Sequence, residues 1–204
     1  TYWNWLYKLG INKRLETDLF ESTAGQLKSK NIFVTQSIEP AVASFGKGFS
    51  ISPLKLAQLH AVLANGGSEI IPHVTLNFKA HLKNNSPKEI FSKEVSKTVL
   101  KWMESVVDNG SGKGAKIDGY RIGGKTGTSQ KAVNGRYTSK KVCSFVASFP
   151  VNNPKYVVLV VIDEPSKAYA YGSTVAVPIA KEIIESLIVI EKIPPQIEEN
   201  RKVV

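Results

Sequence analysis

Apolar residues recur at helical spacing in four stretches of the 204-residue chain. Trp3, Leu6 and Tyr7 share one face of a short helix over Tyr2–Leu9, and Gly10 stops it. Ser52 reads as an N-cap with Pro53 at the first helical position. Behind it Leu54, Leu56, Leu59, Val62 and Leu63 repeat with helical period until Asn65-Gly66-Gly67. Ser92 caps a third helix, with Glu94 near its positive end and Val95, Val99, Trp102, Met103 and Val106 as its apolar stripe. Asn109-Gly110 closes it. The last helix carries Val177, Ala180, Ile184, Leu187 and Ile188 on one side, with Pro178 in or near its first turn. Residues 11–50 lack a clear period and read as irregular. Ile70–Leu76 reads as a short strand.

Between the third and last helices the pattern turns to β. A small-residue loop, Gly110–Ala115, leads to a strand over Tyr120–Gln130. Asn134-Gly135 is a strong hairpin signal, because a tight primed turn needs positive φ at both central positions. A second strand follows over Val142–Phe149, with Val142, Ser144, Val146 and Ser148 on one face. After the Asn153-Pro154 turn, Tyr156–Asp163 is apolar through Ile162, which predicts burial on both faces. A loop, Glu164–Gly172, joins it to the last helix. Pro194-Pro195 ends the order. Residues 1–192 therefore read as one body and residues 193–204 as a loose tail.

Composition narrows the class. With 42% hydrophobic and 22% charged residues, one domain with a real core is expected. No apolar run approaches the roughly 20 residues of a membrane span. The chain starts at Thr1 rather than Met, so it reads as part of something longer whose anchor lies elsewhere. The net charge of +10 is spread along the chain. It reads as a basic surface, suited to anionic surroundings such as headgroups or wall polymers. No motif for nucleic-acid recognition accompanies it, so nucleic acid is not an expected partner. The single cysteine, Cys143, sits in an apolar run as core filler. His60, His73 and His81 are not at ligand spacing, and no metal is assigned to them.

The candidate chemistry lies in GYRIGGKTGTSQ, Gly119–Gln130. As G-x-x-x-x-G-K-T it fits a phosphate-binding loop, and the Asp163 that ends VVLVVID could then hold magnesium. Such a loop must follow a buried strand and open a helix. Upstream lies Gly110-Ser111-Gly112-Lys113-Gly114, and downstream come Gly127, Thr128 and a hairpin turn, so the nucleotide-binding reading is the remote alternative. As K-T-G-T, Lys125–Thr128, the string fits a strand edging an active-site cleft, followed by a hairpin. Gly127 lets a substrate backbone come close, and the Thr128 N–H can point at a developing oxyanion. Lys125 brings a positive charge, and the Thr126 hydroxyl can bind a carboxylate.

Much of the chain resembles the C-terminal part of a class B penicillin-binding protein transpeptidase domain. AVASFGKGFSISPLKLAQLHAVLANGG, Ala41–Gly67, is similar to that family's FGxG…TP…LA…ANGG block, with Ser52 in place of the usual Thr. GSGKGAKIDGYRIGGKTGTSQ, Gly110–Gln130, resembles its GTG-x-A…GKTGTA block. SFVASFPVNNPKYVVLVVIDEP and GSTVAVPIAKEII resemble the strand pair and the last helix. The resemblance implies an α+β fold like the serine β-lactamases, an antiparallel sheet with helices on both faces, incomplete in this chain. VVLVVID becomes a central strand. It also implies a serine D,D-transpeptidase that cross-links peptidoglycan stem peptides at D-Ala-D-Ala ends through an acyl-enzyme, with β-lactams as mimics. Lys125 and Thr128 would be catalytic, and Thr126 and Gly127 substrate-binding. No cofactor is implied. Cell-wall synthesis or divisome proteins would be partners, and the catalytic domain would lie on the outer face of the plasma membrane.

The family places S-x-x-K and S-x-N before K-T-G. Ser44–Lys47 and Ser52–Lys55 match the first, and Ser29-Lys30-Asn31 the second. Their order is wrong, and both S-x-x-K matches lie inside the block that follows the true motifs in the family. The nucleophile is therefore expected before residue 1. A non-catalytic binding or scaffold module derived from the fold is the alternative.

Overall fold

The structure, a computed structural model, describes residues 2–19, 22–77, 88–167 and 169–196. Six α-helices and one sheet organise these residues: α1 Tyr2–Lys8, α2 Lys30–Thr35, α3 Ile38–Ala43, α4 Pro53–Ala64, α5 Lys93–Asn109, β1 Gly123–Val133, β2 Arg136–Phe149, β3 Tyr156–Asp163 and α6 Val177–Ile190.

The expected caps form. The Ser52 and Ser92 hydroxyls accept from the backbone N–H groups of Lys55 and Val95, each satisfying an orphan donor of a first helical turn. Between residues 11 and 50, however, the chain is not wholly irregular. Ser29 caps α2 by accepting from Ile32 N, and α3 follows almost at once. Six residues hold too few apolar positions for a period to show. Conversely, Ile70–Leu76 forms no strand. Its backbone is held by side chains: Gln58 Nε2 donates to Ile70 O at 2.6 Å, and Asp18 accepts from Val74 N and Thr75 N.

The stripe of α5 is rotated by one position. Ser96, Leu100, Met103, Glu104 and Val107 are buried, whereas Val95 and Trp102 are exposed. A buried glutamate escapes an apolar pattern, and this one is tolerable because Arg121 grips it through both carboxylate oxygens, at 2.7 and 2.8 Å.

The sheet is antiparallel in the order β1-β2-β3. Asn134 and Gly135 take φ of 51° and 75°, so the β1–β2 connection is the primed turn the sequence predicts. Register then sorts the residues by face. Lys125, Val146 and Leu159 lie in one cross-strand row, and Thr126, Phe145 and Val160 in the next, on the opposite face. The second face is the main core. Phe145, Ala147, Phe149, Val158 and Val160 pack there against Val177, Ala180 and Ile184 of α6. The other face receives α4. Cys143 is buried in β2, and its thiol is pushed up chiefly by that burial.

Two expectations about the ends of this layer change. β3 is not buried on both faces: Val158 and Val160 are buried, but Val161 is exposed. Among the described residues the sheet runs β1-β2-β3, so β3 ends it within this chain, and its place in the complete sheet is a separate matter. The stretch after α6 is also more ordered than a loose tail as far as residue 196. Ile193 is in the core, its carbonyl accepts from Tyr120 Oη, and Gln196 N donates to Gly119 O. The rest of that expectation, residues 197–204, lies outside the described residues, as does His81.

Candidate active site

Lys125-Thr126-Gly127-Thr128 lies within β1, at the other end of the sheet. Because strand residues alternate in direction, the four positions do not share a face. Lys125 and Gly127 belong to the α4 side, and Thr126 and Thr128 to the α6 side. The structure therefore brings the lysine and the two hydroxyls together around a strand edge rather than on one surface.

Each position is held in a specific way. Lys125 Nζ is solvent-exposed and donates to the carbonyl of Thr126 at 2.6 Å. Thr126 Oγ1 lies 2.7 Å from Ser111 Oγ. If Ser111 is the donor, the Thr126 proton stays available for an incoming acceptor. Thr128 Oγ1 accepts from the backbone N–H of Gly172 at 2.9 Å. Gly172 opens a single π-helical turn, Gly172–Ala176, that feeds α6. A Cβ on Gly172 would come within 2.5 Å of Ser144 O and 2.6 Å of Gly127 O, so only glycine lets this turn touch the strand.

Gly127 also has a close neighbour inside the protein. A Cβ there would meet Ser144 Oγ on the neighbouring strand at 2.5 Å. A side chain at 127 would therefore have to turn the Ser144 hydroxyl aside. Gly124 is similar, since its Cβ would fall 2.3 Å from Phe145 Cζ.

Sequence reasoning missed Ser111 and Gly172. Ser111 read as one residue of a small-residue loop after α5, and Gly172 as the end of a connecting loop. Their position in the blocks that carry the resemblance was the only available signal. His60 was also left without a role. Its Nδ1 is sealed from solvent with no hydrogen-bond partner among the described residues. Burial first, and then the charge of Lys125, pushes its pKa down to about 4.

The serines of the three S-x-x-K and S-x-N matches are engaged locally. Ser29 and Ser52 cap helices, and Ser44 Oγ donates to Ala41 O at 2.7 Å. Lys55, one turn beyond Ser52, is pushed down mainly by burial, but its ammonium donates to Gln58 Oε1 at 2.8 Å. A cleft of about 370 Å³ opens between α4 and the start of β3, lined by residues such as Leu54, Ala57, Pro72 and Tyr156. None of the four Lys-Thr-Gly-Thr residues lines it.

Comparison with known proteins gives the family of the chain. Residues 1–185 match the family described as penicillin binding protein transpeptidase domain. A peptidoglycan D,D-transpeptidase FtsI homolog of Mesostigma viride is 46% identical over 219 residues, which cover 96% of this chain and 37% of the relative. The chain thus spans well under half the length of that protein. Among solved structures, the transpeptidase domain of Burkholderia pseudomallei penicillin-binding protein 3 aligns with a TM-score of 0.82 at 30% identity, over 95% of this chain and 58% of the other. Penicillin-binding protein 3 of Mycobacterium tuberculosis, solved with ampicillin, gives 0.82 at 23% identity over 100% and 48%, a likeness of fold. With residues 1–185 matched to the family and a relative 46% identical over 96% of the chain, the chain belongs to the penicillin-binding-protein transpeptidase domains.

Proposed function

We propose that this chain forms one wall of a serine D,D-transpeptidase site that cross-links peptidoglycan stem peptides. The nucleophilic serine and its lysine base come from sequence outside these 204 residues. The observation that carries this reading is the Lys-Thr-Gly-Thr strand, set at the sheet edge with both threonine hydroxyls fixed, in a chain of this family.

The residues divide the work. The Lys125 ammonium lowers the energy of the anionic end of a stem peptide and of proton transfers beside it. Thr126 Oγ1, accepting from Ser111, donates its own proton to the terminal carboxylate of the substrate. The Thr128 N–H stabilises the oxyanion formed when the serine attacks the D-Ala-D-Ala carbonyl. Collapse of that intermediate expels the terminal D-Ala and leaves an acyl-serine, which an amine of a second stem peptide resolves. Gly127 keeps the strand flat enough for a peptide backbone to lie along it. β-Lactams enter the same site as mimics of the D-Ala-D-Ala end, in line with the ampicillin held by the Mycobacterium tuberculosis neighbour. The parent acts at the outer face of the plasma membrane, with other cell-wall synthesis proteins as partners. Among the described residues no helix is long and apolar enough to cross a membrane.

A fluorescent penicillin tests this. The full-length parent is expected to be labelled covalently, and the 204-residue chain is expected to stay unlabelled. Labelling of the short chain would show that a serine within it is competent. A folded parent that takes no label would favour the non-catalytic scaffold module instead.

A further inference from the structure

The connection from β3 to α6 is tied to the sheet at both ends by Lys141 of β2. At the first end, the Lys141 carbonyl accepts from Glu164 N at 2.9 Å. At the second, Lys141 Nζ donates to Ala170 O at 3.2 Å and lies 4.6 Å from the centre of the Tyr171 ring. The two ends are secured differently. The Glu164 carboxylate also accepts from Lys131 and Lys140, at 2.9 and 2.8 Å, so the first end has further ties to the hairpin. At the second end Thr174 Oγ1 donates to Tyr169 O and accepts from Tyr171 N. Those bonds shape the turn but join it only to itself.

The sheet register explains why Lys141 can reach. Its partner on β1 is Gln130, two residues beyond the Thr128–Cys143 pair, so positions 128 and 141 belong to the same, α6 side. There its ammonium meets Ala170, and two residues later Gly172 N donates to Thr128 Oγ1 at 2.9 Å. The turn is thus bonded to β2 through Lys141 and to β1 through Thr128. Ala170 is 2% exposed, so its carbonyl has little water to turn to, and a charged donor satisfies it well. The half-exposed Tyr171 ring adds a second attraction to the same cation. Gly172 in turn lies directly against the backbone of Gly127 and Ser144, so any shift of the turn is passed to the strand.

We propose that Lys141 is a positioning residue for the acyl-transfer site: by holding Ala170 and Tyr171 against β2, it keeps the Gly172 N–H on Thr128 Oγ1 and the edge of β1 in the orientation that aims the Thr128 N–H at the oxyanion. The proposal rests on the reading that β1 edges that site. Lys141 acts through Gly172 and Thr128, and not on the reacting atoms. Without its ammonium the buried Ala170 carbonyl must move to find another donor, and the turn and Thr128 lose their common anchor.

The test uses the full-length parent and a fluorescent penicillin over a range of concentrations. This separates the dissociation constant of the first complex from the first-order rate constant of acylation. K141M keeps most of the stem and removes both donor and cation. It is expected to lower the first-order constant about fivefold, within the range for residues that act on a site through their neighbours, and to leave the dissociation constant unchanged. K141R keeps a donor and a cation that packs on aromatic rings, and is expected to stay within about twofold of the parent. T128V removes the acceptor of the Gly172 bond and keeps the backbone N–H. In a T128V background K141M is expected to change nothing further, because the link it acts through is gone. Equal losses in K141M and K141R overturn the proposal. So does a K141M loss that persists undiminished with T128V, or one confined to the dissociation constant, which would mark a direct ligand contact. If K141M fails to melt cooperatively, the pair K141Q and K141R carries the same comparison. A folded parent that is not acylated at all overturns the reading of the site, and this proposal with it. Normal acylation of the parent with no effect of K141M overturns this proposal alone.

Discussion

Replacing Gly124 with alanine is expected to strain the core through a single atom. The new methyl would lie 2.3 Å from Phe145 Cζ and 2.6 Å from Cε2, against an ordinary contact of 3.4 Å or more. The ring must therefore withdraw by about 1 Å. Phe145 is 0% exposed and packs within the core that includes Ala176 and Val177, so it has little room to move. Overpacking of this kind costs about 1–3 kcal/mol. The smaller entropy of an alanine in the unfolded chain returns about 0.4–1 kcal/mol. A net loss of about 1–2 kcal/mol remains, which for a chain of this size lowers Tm by about 2–8 °C. Thermal melts of the 204-residue chain read the shift directly. The decisive comparison is the double variant. In an F145L background the ring edge is gone, so G124A should be neutral or stabilising there. An unchanged Tm for G124A alone, or the same loss in both backgrounds, would refute the clash as its cause.

Gly127→Ala should destabilise the β1–β2 hairpin through Ser144 Oγ, and S144G should relieve most of the loss in urea unfolding. Ser111→Ala in the full-length parent should reduce penicillin acylation about threefold to tenfold, the scale of one neutral hydrogen bond, while thermal melts stay unchanged because Ser111 is exposed. Asp18 holds the Val74–Thr75 backbone, and its pKa is lowered to about 2, first by the Thr75 hydroxyl bond and then by the two backbone bonds. Its folded value lies below the ordinary 3.8, so the clamp contributes above that value and is lost as pH falls toward 2. Protection factors at residues 71–77, taken against the intrinsic exchange rate at each pH, should therefore fall between pH 5 and pH 2 (roughly the interval over which such a carboxylate titrates). D18N should show that loss of protection already at pH 7; equal protection in D18N and the unsubstituted chain would count against the clamp.

The strands and the long helices were readable because they announce themselves locally. Ser52, Ser92 and Pro178 mark helix starts, and Asn134-Gly135 fixes the hairpin by backbone conformation alone. The Lys-Thr-Gly-Thr string was visible for the same reason, since glycine and β-branched residues side by side suit a strand and not a helix. What stayed hidden depends on pairing across the chain. Glu104 is buried on α5 only because Arg121 meets it, so an apolar stripe drawn through Trp102 and Val95 ran one residue off. The loop at 70–76 looked like a strand by composition, but its backbone partners are the side chains of Gln58 and Asp18. Ser111 is fifteen residues before Thr126, and Gly172 is more than forty after Thr128, so nothing in the local sequence marks either as a neighbour.

The contact at Gly172 also governs stiffness. The turn that begins α6 lies directly against the backbone of Gly127 and Ser144 and donates to Thr128 Oγ1. Immediately beyond it, Val177, Ala180 and Ile184 are 0% exposed, so the helix is anchored deep in the core. The Lys-Thr-Gly-Thr strand is thus the end of a short, stiff lever whose fulcrum is buried in the main core. It cannot bow outward to admit a bulky ligand unless the first turns of α6 shift with it. A substitution that loosens Val177 or Ala180 should be felt at Thr128 as a softer strand well before the fold itself gives way.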